Sequence, residues 1–107
     1  MAKIKTKADE YKAIFVKLHR YQRKGADNLI LLLTRFVKGR ADYITHYIDE
    51  VAERSGVSAT GHITTTNGDI MIPVVTAILE IEQGDVSIKE LREAWDMFIS
   101  DFRNNKL

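Results

Sequence analysis

Residues 63 to 72 read ITTTNGDIMI, and their conformation separates an all-helical chain from one that carries a β-hairpin. If Asn67 and Gly68 form a two-residue turn, Thr66 faces Asp69, Thr65 faces Ile70, Thr64 faces Met71 and Ile63 faces Ile72. Ile63, Thr65, Ile70 and Ile72 then share one face that can pack on helices. The rival is a loop in which Asp69 caps a helix beginning at Ile70, because Pro73 is tolerable in a first turn. The hairpin is the first expectation and the capped helix the second.

On both sides of this stretch the apolar spacing is helical. Val74 to Glu82 suits a short buried helix, although β-branched Val74, Val75 and Thr76 weaken it, and Gly84 stops it. Ser87 followed by Glu90 makes a capping box, with Val86 and Leu91 placed as a hydrophobic staple. Ile88, Leu91, Trp95, Phe98, Ile99 and Phe102 then form the core face of a last helix. On the N-terminal side, Leu29, Leu32, Leu33, Phe36, Tyr43, Ile44, Tyr47, Ile48 and Val51 follow one helical stripe interrupted near Gly39. Glycine there costs roughly 1 kcal/mol against alanine, so the stripe is either one bent helix or two helices meeting at Gly39. Ser55 and Gly56 close it. Ile4, Ala8, Tyr11, Phe15, Leu18 and Gln22 mark a first helix, ended by Gly25, with Asp27 as the cap of the next segment. The expected fold is mainly α: a compact helical domain of four or five helices over residues 1–107, with the short hairpin near 63–72 as its one β element.

Charge is polarised along the chain. The first 40 residues hold eleven basic and three acidic side chains, a surplus of eight positive charges; the remaining 67 hold five basic and twelve acidic ones. Such asymmetry points to a charged partner or to halves that neutralise each other. There is no cysteine, which excludes disulfides, thiolate metal sites and a cysteine nucleophile. The longest apolar run, Leu29 to Leu33, is five residues, against about 18 needed to span a bilayer. The N-terminus lacks the apolar segment of a signal peptide, so a cytoplasmic location without membrane partners is expected.

Lys17, Arg20, Arg23 and Lys24 gather on one side of the first helix with Tyr21 nearby. Such a cluster can meet an acidic protein surface, or neutralise phosphates while the ring stacks on a base. Arg35 and Arg40 are candidate anchors for a small anion between helices; Arg40 falls on the apolar stripe, where its stem can cover core while its head stays in water. Asp42, His46, Asp49, Glu50 and Glu53 would be neighbours on a continuous helix, but such a surface gives only part of a metal shell and solvated charge explains it equally well. No nucleophile elbow, Walker loop or dinucleotide fingerprint is present, so neither catalytic residues, metal nor cofactor is assigned. The functional expectation is a small non-enzymatic protein-binding module, of adaptor or inhibitor type and homo-oligomeric, that uses the basic N-terminal helix face or the acidic C-terminal surface. The alternative is a nucleic-acid-binding protein that uses the basic face of the first helix.

Overall fold

The computed structural model describes residues 6–107. The described residues form five α-helices: α1 (Lys7–Arg23), α2 (Leu29–Lys38), α3 (Ile48–Arg54), α4 (Gly68–Gln83) and α5 (Ile88–Arg103), with a 3-10 segment, Asp42–Tyr47, running directly into α3. The described residues contain no strand beyond an isolated antiparallel bridge between Asn28 and His62. A mainly helical fold is therefore what the sequence encodes. Ile4, assigned to the first stripe, and the bases Lys3 and Lys5 lie outside the described residues.

The first helix starts at a reciprocal cap. The Thr6 hydroxyl accepts from Asp9 N–H at 3.1 Å while the Asp9 carboxylate accepts from Thr6 N–H at 3.2 Å, so two N–H groups that no helical carbonyl can reach are satisfied. Ala8, Tyr11, Ile14, Phe15 and Leu18 are buried, and Gly25 leaves the helix at φ +103°, a conformation that favours glycine. The cap of α2 is Asn28, whose side chain accepts from Leu31 N–H at 2.9 Å, one residue after the expected Asp27.

The stripe through Gly39 breaks there. A 3-10 segment turns every 3.0 residues rather than 3.6, which rotates the side chains out of the expected phase. Ile44 remains buried, but Tyr43 and Tyr47, expected on the core stripe, are 61% and 39% exposed.

The expected hairpin does not form, although half of its pattern survives. Ile63 and Thr65 point inward and Thr64 and Thr66 outward, as an extended segment requires. The missing second strand is replaced by one side chain. Thr65 N–H donates to Gln22 Oε1 at 2.8 Å, and Gln22 Nε2 donates to the Ile63 carbonyl, so the Gln22 side-chain amide offers the donor and acceptor that a neighbouring strand would. Residues 68 to 72 instead open α4, with the Asn67 side chain accepting from Asp69 N–H at 3.0 Å. The helix thus starts two residues before the expected Ile70. Pro73 now falls beyond the first turn and brings no N–H to the Asp69 carbonyl; Asp69 itself is exposed, so water can serve that carbonyl.

The core centres on α1 against α5. Phe15 meets Trp95 edge-on at 5.1 Å between ring centroids, and Phe98 lies 6.1 Å from Phe15 and 5.4 Å from Trp95. Ser87 caps α5 by accepting from Glu90 N–H at 3.3 Å. The reverse half of the expected capping box is absent, Ser87 N–H donating instead to the Tyr11 hydroxyl at 3.5 Å, and Val86 packs against the core. A Cβ on Gly68 would lie 2.8 Å from Trp95 Nε1, so this glycine lets the first turn of α4 approach the indole. The ends of α5 overrun the core, leaving Ile88 and Phe102 exposed.

Candidate functional site: a cationic face and an adjoining cleft

The polarity of the sequence is only partly neutralised by folding. Lys12 pairs with Asp101, and Arg40 Nε and Nη2 donate to the two Glu82 carboxylate oxygens at 2.8 and 2.9 Å. Those two pairs join a base from the first 40 residues to an acid from the remainder. Lys17, Arg20, Arg23 and Lys24 are all exposed and make no ion pair among the described residues. Arg20, Arg23 and Lys24 line one shallow hollow of about 220 Å³. Lys17 and Arg20 line a second of about 530 Å³ along the exposed side of α1, together with Asp9, Lys12, Ala13 and Val16.

The remaining candidates separate. Arg35 joins the face, because its Nη1 donates to the Lys24 carbonyl at 3.4 Å. The last-turn bases of α1 and α2, Arg20, Arg23, Arg35 and Lys38, also suit the negative ends of their helix dipoles, a stabilising role that leaves their outward charge available. Tyr21 is half-buried against the core, with its hydroxyl 3.1 Å from where a Cβ on Gly39 would lie. Arg40 stands apart: its guanidinium carbon is 5.9 Å from the Phe36 ring centroid, and the two oxygens of Glu82 engage its Nε and Nη2. The stem covers apolar surface as expected, and the head stays exposed to solvent while it pairs with Glu82. Burial alone would raise the Glu82 carboxyl; the hydrogen bonds and charge of Arg40, helped by Gln83 and Lys7, outweigh it and hold Glu82 below its ordinary value.

The acidic grouping around His46 depended on continuous α spacing, which the 3-10 segment removes. His46 instead stacks on Tyr47 at 4.1 Å, and no group of three His, Cys, Asp or Glu side chains among the described residues is arranged to hold a metal ion.

Next to Arg23 lies a cleft the sequence reasoning missed. His19, Gln22 and Arg23 of α1, Thr64, Thr65 and Thr66, and Phe102 of α5 line a volume of about 210 Å³. His19 Nδ1 lies 2.8 Å from the Thr65 hydroxyl, and its ring meets Phe98 and Phe102 edge-on at 5.9 and 5.3 Å. The one available signal was a polar Gln22 on an apolar stripe, four positions after Leu18.

Burial, and secondarily the charge of Arg23, lower the His19 pKa from 6.5. The fold thus prefers neutral imidazole, so this contribution to stability is present above about pH 6.5 and is lost as pH falls through the lowered native value. Thermal unfolding between pH 7 and pH 5 should show a falling Tm, and His19→Gln should flatten that fall. An unchanged pH slope in the variant would remove His19 as its source.

Among the described residues no helix is long and apolar enough to cross a membrane. No protein-family model, curated protein or solved structure matches this chain.

Proposed function

We propose that this chain is a small non-enzymatic protein-binding module, of the adaptor or inhibitor kind, whose cationic face on α1 and the adjoining Arg35 engages an acidic surface of another protein. One observation carries the reading: Lys17, Arg20, Arg23 and Lys24 are exposed on one helix with no acidic partner among the described residues. Charges so arranged steer a complementary partner and reject like-charged ones, and placing like charge against like costs several kcal/mol. Self-association belongs to the same reading. Ile30 and Leu31 on α2, and Tyr43 and Tyr47 before α3, stay exposed and would be covered between copies.

The second reading, nucleic-acid binding, uses the same cations. The placement of Tyr21 favours the protein partner, because the ring meant to stack on a base packs against the core instead. Reversal of all four charges (Lys17→Glu, Arg20→Glu, Arg23→Glu and Lys24→Glu) should weaken capture of the partner from nuclease-treated native extract by about 100-fold or more, with an unchanged helical circular dichroism spectrum. Retention of the same partner by the reversed variant would sink the proposal. Binding of unrelated DNA or RNA that falls with a slope of about −0.9 per phosphate contacted would transfer the face to the second reading. A monomer at every concentration in sedimentation would remove the self-association.

A further inference from the structure

We propose that the cleft between the last turns of α1 and α5 and the extended segment 63–66 is a binding site for a phosphoryl group carried on a small apolar body. It goes beyond the cationic face as a protein contact and shares only Arg23 with it.

The cleft is built from three elements and its framework is already satisfied internally. Gln22 is spent on the backbone of Ile63 and Thr65, and the Thr65 hydroxyl on His19 Nδ1; these bonds hold the walls. What remains is unspent donor capacity. Arg23 is exposed and carries five N–H donors in a planar fork, none engaged by an acid among the described residues. The Thr64 and Thr66 hydroxyls lie 2.8 Å apart, and Thr66 N–H also donates to the Thr64 oxygen at 3.3 Å. One hydroxyl hydrogen is consumed between the two threonines, which leaves the other free to donate. His19 Nε2 makes no hydrogen bond among the described residues, and it carries the ring hydrogen when Nδ1 accepts from the Thr65 hydroxyl.

These donors select the ligand class. A carboxylate has two oxygens, and the guanidinium fork alone satisfies both. A phosphoryl group has three terminal oxygens and about 1.5 to 2 negative charges near neutral pH, so it can use the arginine, a threonine hydroxyl and the imidazole together. The volume, about 210 Å³, is several times the roughly 30 Å³ share of one water. Phe102, 38% exposed, supplies an apolar wall beside the polar one. A phosphomonoester with an apolar or aromatic body fits both walls better than inorganic phosphate does. Such a group can come from a free small ester or from a phosphorylated side chain.

The test is an NMR titration of the full chain at fixed ionic strength with inorganic phosphate, phenyl phosphate, a capped phosphothreonine and acetate. The expected result is saturating shifts of the Thr64, Thr65 and Thr66 amides and the His19 ring, tighter for the esters than for inorganic phosphate. Arg23→Gln should weaken binding about tenfold or more, as loss of a charge-assisted hydrogen bond does. Thr66→Val, also at an exposed position, should weaken it several-fold. Lys24→Gln removes the same charge from outside the cleft and should change it less than about twofold. Preference for phenyl phosphate marks a free ester as the source; preference for phosphothreonine marks a modified protein. Acetate binding as tightly as phosphate, Arg23→Gln binding like the parent, or no saturating shift with any phosphoryl probe would each overturn the site. Failure here leaves the proposed protein contact standing, because that contact is tested by reversing Lys17, Arg20, Arg23 and Lys24 together.

Discussion

Phe98→Ala is expected to cost about 3–5 kcal/mol, a large share of the roughly 5–15 kcal/mol that holds a domain of this size together. Phe98 is fully buried, and its ring stands within 6.3 Å, centroid to centroid, of Phe15, Trp95, His19 and Phe102. Its removal leaves a void bounded by both helices, and α1 and α5 must either keep the cavity or slide. Calorimetry should show a Tm lower by at least about 12 °C, at roughly 4 °C or more per kcal/mol. Phe102→Ala is the internal control: one turn later on the same helix but 38% exposed, it should cost about 1 kcal/mol or less. Equal costs for the two would mean that the contact between the first and last helices is wrongly placed.

Gln22→Met should cost about 2–4 kcal/mol despite its near-equal volume. The thioether keeps the packing but removes the acceptor for Thr65 N–H and the donor to the Ile63 carbonyl. Each unsatisfied, part-buried backbone group costs about 1–3 kcal/mol. Urea unfolding measures the total, and amide exchange locates it: Thr65 should lose protection while Leu18 and Phe98 keep theirs relative to global stability. A loss spread evenly over the chain, or none, would count against Gln22 as the stand-in for a strand.

Where the sequence was readable, and where it was not, follows from the range of the interactions involved. The α5 core face was legible because its cap, staple and stripe are all local, and Leu91, Trp95 and Phe98 are buried as their spacing predicts. Gly25 and Gly56 stop their helices with positive φ for the same local reason. Tyr43 and Tyr47 were misplaced because periodicity assumes 3.6 residues per turn, and nothing local announces a tighter 3-10 segment. The hairpin failed at a distance of about 43 positions, where Gln22 supplies the bonds a second strand would have made. Arg40 and Glu82, 42 positions apart, were likewise beyond any local pattern. Of the cationic face, the membership of Lys17, Arg20, Arg23 and Lys24 was readable from helical phasing. The inward packing of Tyr21 was not, because it is set by contacts with the core and with Gly39, 18 positions away.

The pairing of α1 with α5 also has a consequence in time. Tyr11 reaches the α5 cap Ser87, Phe15 meets Trp95 and Phe98, and His19 meets Phe102, so the two helices run in the same direction and everything between them must be made first. Phe15 precedes Phe98 by 83 positions, which a ribosome adding about 5–20 residues per second covers in roughly 4–17 s. Throughout that interval α1 can meet α2 and α4 but lacks the cover that Trp95, Phe98 and Phe102 give Phe15 and His19 in the finished fold. The packing of α1 is therefore completed only after α5 has been made.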